Sequence, residues 1–206
     1  MKKILVSVGV ALVIASEVFL LCTNRKLCSE IALKDRFLDH ISDRYDAAET
    51  QFLMTLENIG EVINSNTPIK DTADNSTTFA EIANEIDGNF LICRYSDRMC
   101  RECVEHTISV FTDNMDSLDR NKIVFLAENS SRRVLKLNVT EFGLENCRVL
   151  NCANLGINAE GAMFPYIMAV DKDLRVLNVY FPTKSTHGTD YDYKHIKLLY
   201  DKLIKQ

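Results

Sequence analysis

Two cysteines, Cys100 and Cys103, are separated by only two residues. They lie where an apolar stretch ends and helical spacing begins, so the pattern predicts that Cys100 stands at a helix N-terminus. Unsatisfied backbone N–H groups and the positive end of the helix dipole favour a thiolate at that position. A cysteine one turn later can attack a mixed disulfide formed by the first and release its partner. The pair is therefore a candidate for thiol–disulfide exchange.

Four charged residues surround the first cysteine and act on its pKa in opposite directions. Arg98 and Arg101 are expected to lower the pKa of Cys100, whereas Asp97 and Glu102 are expected to raise it. The sequence therefore leaves the redox balance of the pair open.

The same cysteines also fit a metal site. Cys100, Cys103 and His106 have the spacing of zinc ligands, and Cys147 or Cys152 would supply a fourth. Structural zinc sites normally show a second tight pair of ligands, which this chain lacks. We therefore predict neither a metal nor another cofactor, and we keep a zinc-stabilised domain as an alternative.

Short apolar runs alternate with amphipathic stretches around the pair. The pattern predicts an α/β domain with a mixed central sheet flanked by helices. The predicted strands are 90–95, 122–127, 148–150, 166–170 and 175–180, and the predicted helices are 100–118, 131–142 and 191–204.

The residues before this domain predict three segments. Lys2 and Lys3 precede an apolar run, so residues 1–23 are expected to form a membrane helix or signal anchor, with cleavage or lipidation at Cys22 as alternatives. Residues 24–66 are expected to form a long amphipathic helix, or stalk, that could pair with a second copy or pack on its own domain. Residues 67–87 read as a linker with a short helix, which places the domain at 88–206.

Composition excludes several functional classes. The 206 residues carry 24 Lys and Arg against 29 Asp and Glu, a net charge of −5. Nucleic-acid-binding domains are usually basic, so we expect no nucleic-acid partner. With 47% hydrophobic residues the chain has enough apolar character for a packed core, and disorder is excluded.

Two stretches resemble the thioredoxin superfamily. Residues 91–103 look like its first strand and active-site turn, and residues 163–176 look like its cis-proline with the strand, turn and strand that follow. The separation between Cys103 and Pro165 leaves room for the extra strand and helix of the TlpA/ResA-like branch. Members of that branch are commonly membrane-tethered, extracytoplasmic thiol–disulfide oxidoreductases. The resemblance thus implies a location outside the cytoplasm, periplasmic in a bacterium.

The resemblance also implies roles for individual residues. Cys100 would be the nucleophile and Cys103 the resolving cysteine of a redox-active disulfide. Pro165, in a cis peptide bond, would lie opposite the pair, and the backbone of Phe164 would pair with a substrate peptide, beside Met99. The implied partners are a protein thiol or disulfide as substrate and a second redox protein.

Two positions depart from the thioredoxin pattern. Arg94 replaces a buried acid that helps to move protons to the resolving thiol, and arginine cannot accept a proton. Met99 stands where thioredoxins have a tryptophan. These departures favour a dedicated partner over broad specificity, and they keep open a redox-inactive interaction module at the membrane.

The remaining cysteines and His106 allow further predictions. Cys147 and Cys152 are either a second disulfide or two unrelated thiols, and Cys93 is expected to be a small core residue. His106 is expected to be a solvated residue on a helix face.

Overall fold

A computed structural model describes residues 2–129, 131–182 and 189–205 of the chain. Helix α1 spans Lys2–Asn58. The chain divides into two compact units, residues 1–50 and 51–206. In the first unit, the apolar side chains along the predicted stalk that the structure describes are exposed, for example those of Leu27, Ile31 and Leu38.

The predicted stalk and anchor agree with the structure only in part. The helix ends at Asn58 and not at residue 66, because Gly60 adopts a φ of 86° and its N–H bonds to the carbonyl of Val176 at 2.8 Å. None of the helices that the structure describes is both long and apolar enough to cross a lipid bilayer. The membrane helix predicted over residues 1–23 is thus not supported.

The second unit contains a seven-stranded sheet and four helices among its described residues. The strands are β1 Pro68–Asp71, β2 Ser76–Thr78, β3 Phe90–Ser96, β4 Ile123–Glu128, β5 Arg148–Asn151, β6 Tyr166–Val170 and β7 Val176–Tyr180. The helices are α2 Phe79–Glu85, α3 Arg101–Thr112, α4 Arg132–Glu141 and α5 Thr189–Leu199, followed by a π-helical turn at Tyr200–Ile204. Short 3₁₀ helices lie at Met115–Ser117, Arg120–Lys122 and Asn158–Ala162.

The sheet has the order β2-β1-β5-β4-β3-β6-β7. β3, β4 and β5 are parallel, whereas β6 pairs antiparallel with β3 and β7 pairs antiparallel with β6. The unit β3-α3-β4, followed by the hairpin β6-β7 and the closing helix α5, is the arrangement that the sequence resemblance implies. The α/β fold with a mixed sheet is confirmed, and it is thioredoxin-like.

Both faces of the sheet are covered. One face carries a core built around α2, and the other packs against α3 and α5. Every residue of β3 is buried, as expected for a strand with helices on both sides. Successive side chains alternate between the faces, so Ile92 joins the first core while Cys93 and Tyr95 join the second. Cys93 is thus a core residue, as predicted.

Residues 67–87 are part of the sheet domain and not a linker. β1 pairs antiparallel with β5, and Ile69 and Phe79 are fully buried. The polar run between the two strands forms a turn, in which the Asp71 carboxylate accepts from the backbone N–H groups of Ala73 and Asn75 at 2.7 and 2.9 Å. Because the hairpin lies at an edge of the sheet, its polar composition resembles that of a linker in the sequence.

One contact of α5 predicts a pH dependence of stability. The His195 ring stacks on Tyr180 with centroids 3.9 Å apart, and burial lowers the pKa of His195 against the opposing charge of Asp192. In the unfolded chain His195 takes up a proton at a pKa of about 6.5, whereas its pKa in the folded chain is lower. The unfolded state therefore binds more protons below that pH, so His195 lowers the free energy of unfolding as the pH falls. His195→Phe keeps the stacked ring and should raise the free energy of unfolding at pH 5 more than at pH 8.

Urea unfolding at both pH values measures this effect. The matched control is His40→Phe, because His40 is exposed. An equal gain at pH 5 and pH 8 for His195→Phe would contradict the assignment.

Candidate active site

The two cysteines of the motif stand where β3 passes into α3. Cys100 is the N-cap residue of α3 and is exposed, and Cys103 lies in the first turn and is partly buried. The Cys100 carbonyl accepts the first helical hydrogen bond from Val104 at 3.0 Å. The structure thus places both sulfurs at one helix N-terminus, as the sequence predicts. Both cysteines are thiols here.

The surroundings of Cys100 lower its pKa. The largest contribution is a hydrogen bond from the Cys103 side chain, followed by one from the Cys103 backbone N–H, and a smaller one comes from the N–H of Glu102. Desolvation of the thiolate opposes these hydrogen bonds and raises the pKa, and the negative charge of Glu102 raises it to a smaller extent. All three donors belong to the first helical turn, so the helix N-terminus itself stabilises the thiolate.

Both neighbouring arginines are held in ion pairs. Arg98 forms an ion pair with Glu128 at the end of β4. Arg101 pairs with Glu105 at 2.7 Å and with Glu141 at 3.0 Å. The largest contributions to the lowered Cys100 pKa come from Cys103 and not from either arginine. Nearby carboxylates compensate the charges of both arginines. Sequence spacing does not reveal an ion-pair partner as distant in the chain as Glu141.

Arg94 is fully buried in β3 and is held by a second group of acceptors. Its guanidinium forms a bidentate pair with Glu160, at 2.9 and 3.0 Å. It also donates to the carbonyl oxygens of Cys152 at 2.8 Å and Ala153 at 3.2 Å. Glu160 in turn accepts from the hydroxyl of Tyr166 at 3.1 Å. The Glu160 carboxylate thus neutralises the buried guanidinium, and the carbonyl oxygens accept its remaining hydrogen bonds, as a buried cation requires.

Arg94 lies on the face of the sheet opposite to α3. By strand alternation it shares the face of Ile92, in the core that contains Cys152 and Tyr166. Cys103 belongs to α3, which packs on the other face through Val104 and its neighbours. Arg94 therefore anchors the residues that follow β5. Its Nη2 also lies 3.7 Å from Glu128 Oε2, and Glu128 pairs in turn with Arg98, two residues before Cys100.

The predicted substrate-binding residues lie at the same end of the sheet. Tyr166 pairs with Arg94, so continuing the antiparallel register by one residue sets Pro165 beside Tyr95, near the end of β3. Pro165 is buried and Phe164 is 54% exposed. Met99, one residue before Cys100, is partly buried against the core of α3.

The peptide bond before Pro165 is trans and not cis, as are all peptide bonds that the structure describes. The cis-proline that the resemblance implies is therefore wrong for Pro165. The sharp change of chain direction occurs instead at Met163, whose φ of 57° lies in the left-handed region. Pro165 lies two residues after this turn and directly before β6.

The alternative sites are not assembled. Among the described residues, no three His, Cys, Asp or Glu side chains are grouped so that they could hold a metal ion.

Cys147 packs on one face of the sheet and Cys152 on the other. Five steps of extended chain separate them by about 16 Å, and a disulfide needs α-carbons within about 7 Å. The second-disulfide alternative is therefore wrong.

His106 is part of a buried network that its sequence position does not predict. Its side chain is only 10% exposed, and its Nε2 lies 2.6 Å from Asp192 of α5. The hydroxyl of Tyr180 in β7 donates to the other oxygen of Asp192. The network ties α3, which carries both cysteines, to α5 and β7. Asp192 is 86 residues away in sequence, so spacing alone gave no signal for it.

Comparison with known proteins yields structural neighbours only. No family model matches the chain, and no curated protein matches it. A hypothetical protein from Sinorhizobium meliloti is 16% identical with a TM-score of 0.50, over 71% of this chain and 84% of its own.

Two further solved structures are similar in fold. The thioredoxin domain of a thiol-disulfide oxidoreductase from Bacteroides vulgatus is 12% identical with a TM-score of 0.48, over 68% of this chain and 96% of its own. A peroxidoxin from Mycobacterium tuberculosis is 15% identical with a TM-score of 0.47, over 70% of this chain and 97% of its own. At such identities the likeness concerns the fold alone.

The origin of the lowered Cys100 pKa predicts the behaviour of a Cys103 variant. In the native chain, the rate of Cys100 alkylation should rise with pH around a midpoint below the ordinary cysteine value of about 8.5. Cys103→Ala removes the largest stabilising hydrogen bond, so that midpoint should move upward. Iodoacetamide labelling over a pH series with peptide mapping measures it, and Cys147→Ala is the control. An unmoved midpoint in Cys103→Ala would show that the side-chain hydrogen bond has no effect.

The Arg94–Glu160 pair predicts a non-additive effect on stability. Arg94→Met leaves the Glu160 carboxylate buried without its cation and should lower the free energy of unfolding by about 3–5 kcal/mol. Adding Glu160→Gln to that variant should recover part of the loss, because no charge then remains buried. Arg148→Met, which removes a more exposed pair with Glu85, should cost about 1 kcal/mol or less. Denaturant unfolding distinguishes these values, and additive losses in the double variant would rule out the coupling.

Proposed function

We propose that the chain is a thiol–disulfide oxidoreductase that acts on protein disulfides, with Cys100 as nucleophile and Cys103 as resolving cysteine. The observation that carries the proposal is the exposed Cys100 thiol at the N-terminus of α3, where hydrogen bonds lower its pKa. A thiolate is the attacking species in disulfide exchange. Cys103, one turn away and less exposed, is close enough to attack Cys100 in turn.

The first step forms a mixed disulfide. The Cys100 thiolate attacks one sulfur of a substrate disulfide, and a bond forms between that sulfur and Cys100 Sγ. The bond between the two substrate sulfurs breaks, and the second sulfur leaves as a thiolate that takes a proton from water. No electrons leave the system in this step, because one disulfide replaces another.

The second step releases the substrate. Cys103 loses its proton to solvent, and its thiolate attacks Cys100 Sγ. A Cys100–Cys103 disulfide forms as the mixed disulfide breaks, and the substrate leaves with its second thiol. The substrate has gained two electrons and two protons, and the enzyme dithiol has lost the same. A protein dithiol that reverses these steps would reduce the pair again.

The chain around Phe164, at the same end of the sheet as the cysteines, is suited to binding a peptide substrate. Phe164 is largely exposed and precedes the buried Pro165, at the same end of the sheet as Cys100. An extended substrate segment could pair with the backbone there as an added strand. Within this fold, the additional strand β5 and the N-terminal hairpin support a TlpA/ResA-like enzyme. A location outside the cytoplasm and pairing of the stalks stay predictions from the sequence.

Single-cysteine variants test the proposal. Cys100→Ser should reduce the exchange rate with a protein disulfide to the uncatalysed rate, because the attacking thiolate is lost. Cys103→Ser should accumulate a mixed disulfide through Cys100, which mass spectrometry of the peptide adduct identifies. Cys147→Ser is the control and should retain the wild-type rate, since Cys147 lies away from the pair. Full activity in Cys100→Ser would refute the proposal in favour of a redox-inactive binding module.

A further inference from the structure

The second step of the proposed exchange needs an acceptor for the proton of Cys103. The attacking form of a cysteine is the thiolate, and an ordinary thiol with a pKa of about 8.5 is only a few per cent ionised at pH 7. Arg94, which stands where thioredoxins have a buried acid, keeps its own proton and cannot accept another. A side chain that accepts the proton of Cys103 therefore lies elsewhere in the chain.

His106 lies on α3 one turn after Cys103. Residues three apart on a helix are neighbours, with β-carbons about 5–6 Å apart. Helical side chains lean toward the helix N-terminus, so the imidazole of His106 leans toward the turn that carries Cys103. A proton can cross such a gap directly or through one water. Glu102 and Glu105 are one and two positions from Cys103, and residues at those separations on a helix do not face each other.

The contact with Asp192 determines which nitrogen of His106 can accept a proton. Nε2 lies 2.6 Å from a carboxylate oxygen of Asp192, and a carboxylate only accepts, so the neutral ring carries its hydrogen on Nε2. Nδ1 is then the basic nitrogen. The Asp192 side chain is 1% exposed, and the hydroxyl of Tyr180 donates to its other oxygen. Asp192 is thus held in place and in turn orients the ring.

The charges around His106 favour the imidazolium that a proton transfer would form. Asp192 lies against the ring, and Glu102 lies one turn earlier on α3. Burial lowers the pKa of His195, which stacks on Tyr180, so His195 adds no positive charge at pH 7. The remaining titratable groups of the strands below α3 and α5 stay neutral because burial raises the pKa of each: Cys93, Tyr95 and Tyr180.

We propose that His106 accepts the proton that Cys103 loses in the second step, and that Asp192 is the residue that positions His106. The proton passes from Cys103 Sγ to His106 Nδ1, and the thiolate attacks Cys100 Sγ. The bond between the two cysteines forms, the bond between Cys100 and the substrate sulfur breaks, and the substrate thiolate takes a proton from water. The imidazolium then releases its proton to solvent. This inference rests on the proposed exchange activity and adds a base to it.

The test follows the mixed disulfide in single turnovers of the reduced full chain with a short cystine peptide. Mass spectrometry of acid-quenched samples separates the formation of the mixed disulfide from its decay to the Cys100–Cys103 disulfide. His106→Gln keeps an N–H donor for Asp192 but has no basic nitrogen. Its decay rate should fall about tenfold at pH 7, where an unassisted thiol is only a few per cent ionised. Its formation rate should be unchanged, because Cys100 is the attacking group in that step.

The pH dependence separates a missing base from a damaged structure. The deficit of His106→Gln should disappear above about pH 9, where an ordinary thiol ionises without help. A deficit of the same size at pH 7 and pH 9, or an unchanged decay rate in the folded variant, would overturn the inference. His195→Phe is the matched control, since it replaces the neighbouring histidine and should leave both rates as in the native chain.

The native chain provides a second test if His106→Gln does not fold. An ordinary histidine titrates near pH 6.5 and an ordinary thiol near pH 8.5. The native decay rate should stop rising between these values, because neutral imidazole is then fully available. A rise of about tenfold per pH unit up to about pH 8.5 would show direct loss of the proton to solvent and would overturn the inference. If the native chain forms no mixed disulfide, the proposed function itself has failed, which is a different outcome.

Discussion

The buried charge of Arg94 is the constraint on which the arrangement around the site depends. A guanidinium in a strand that is covered on both faces must find carboxylate and carbonyl partners within the core. It finds them in the segment between α4 and β6, at Cys152, Ala153 and Glu160. β3, which leads directly to Cys100, is thereby joined to that segment by the strongest type of hydrogen bond available in a core.

The two faces of the sheet are linked through Glu128 at the end of β4. Arg94 lies on the face opposite to α3 and the cysteines, yet its Nη2 is 3.7 Å from Glu128 Oε2, and Glu128 also pairs with Arg98. The largest causes of the lowered Cys100 pKa are hydrogen bonds from Cys103, which belongs to the same helical turn. The charges of Arg98 and Arg101 are compensated by Glu128, Glu105 and Glu141.

Local patterns in the sequence predict much of this fold, and long-range contacts limit the prediction. Apolar runs locate β3, β4, β6 and β7 to within about two residues, because burial on both faces makes a strand continuously apolar. The spacing of Cys100 and Cys103 locates the helix N-terminus because caps are set by neighbouring residues. The edge hairpin at residues 68–78 is mistaken for a linker, since its pairing with β5 depends on a contact far away in sequence.

In the candidate site too, the sequence reveals local features but not their distant partners. Arg94 is visible in the sequence as a single charge in an apolar strand, yet nothing near it identifies Glu160, 66 residues later, as its partner. His106 has a helical position that suits a solvated side chain, and only the packing of α5 buries it against Asp192.

The segment between α4 and β6 holds both Asn129 and Arg94 in place. Asn151 at the end of β5 fixes the backbone of Asn129, while the next two residues and Glu160 neutralise Arg94. A minimal sheet without this segment would leave a cation buried in β3 and a loop after β4 without support. Arg94 and the inserted strand therefore depend on each other, and an acid at position 94 would not suit this insertion, because it would face Glu160 and two carbonyl oxygens. The charge at position 94 is thus accommodated by the residues that follow β5.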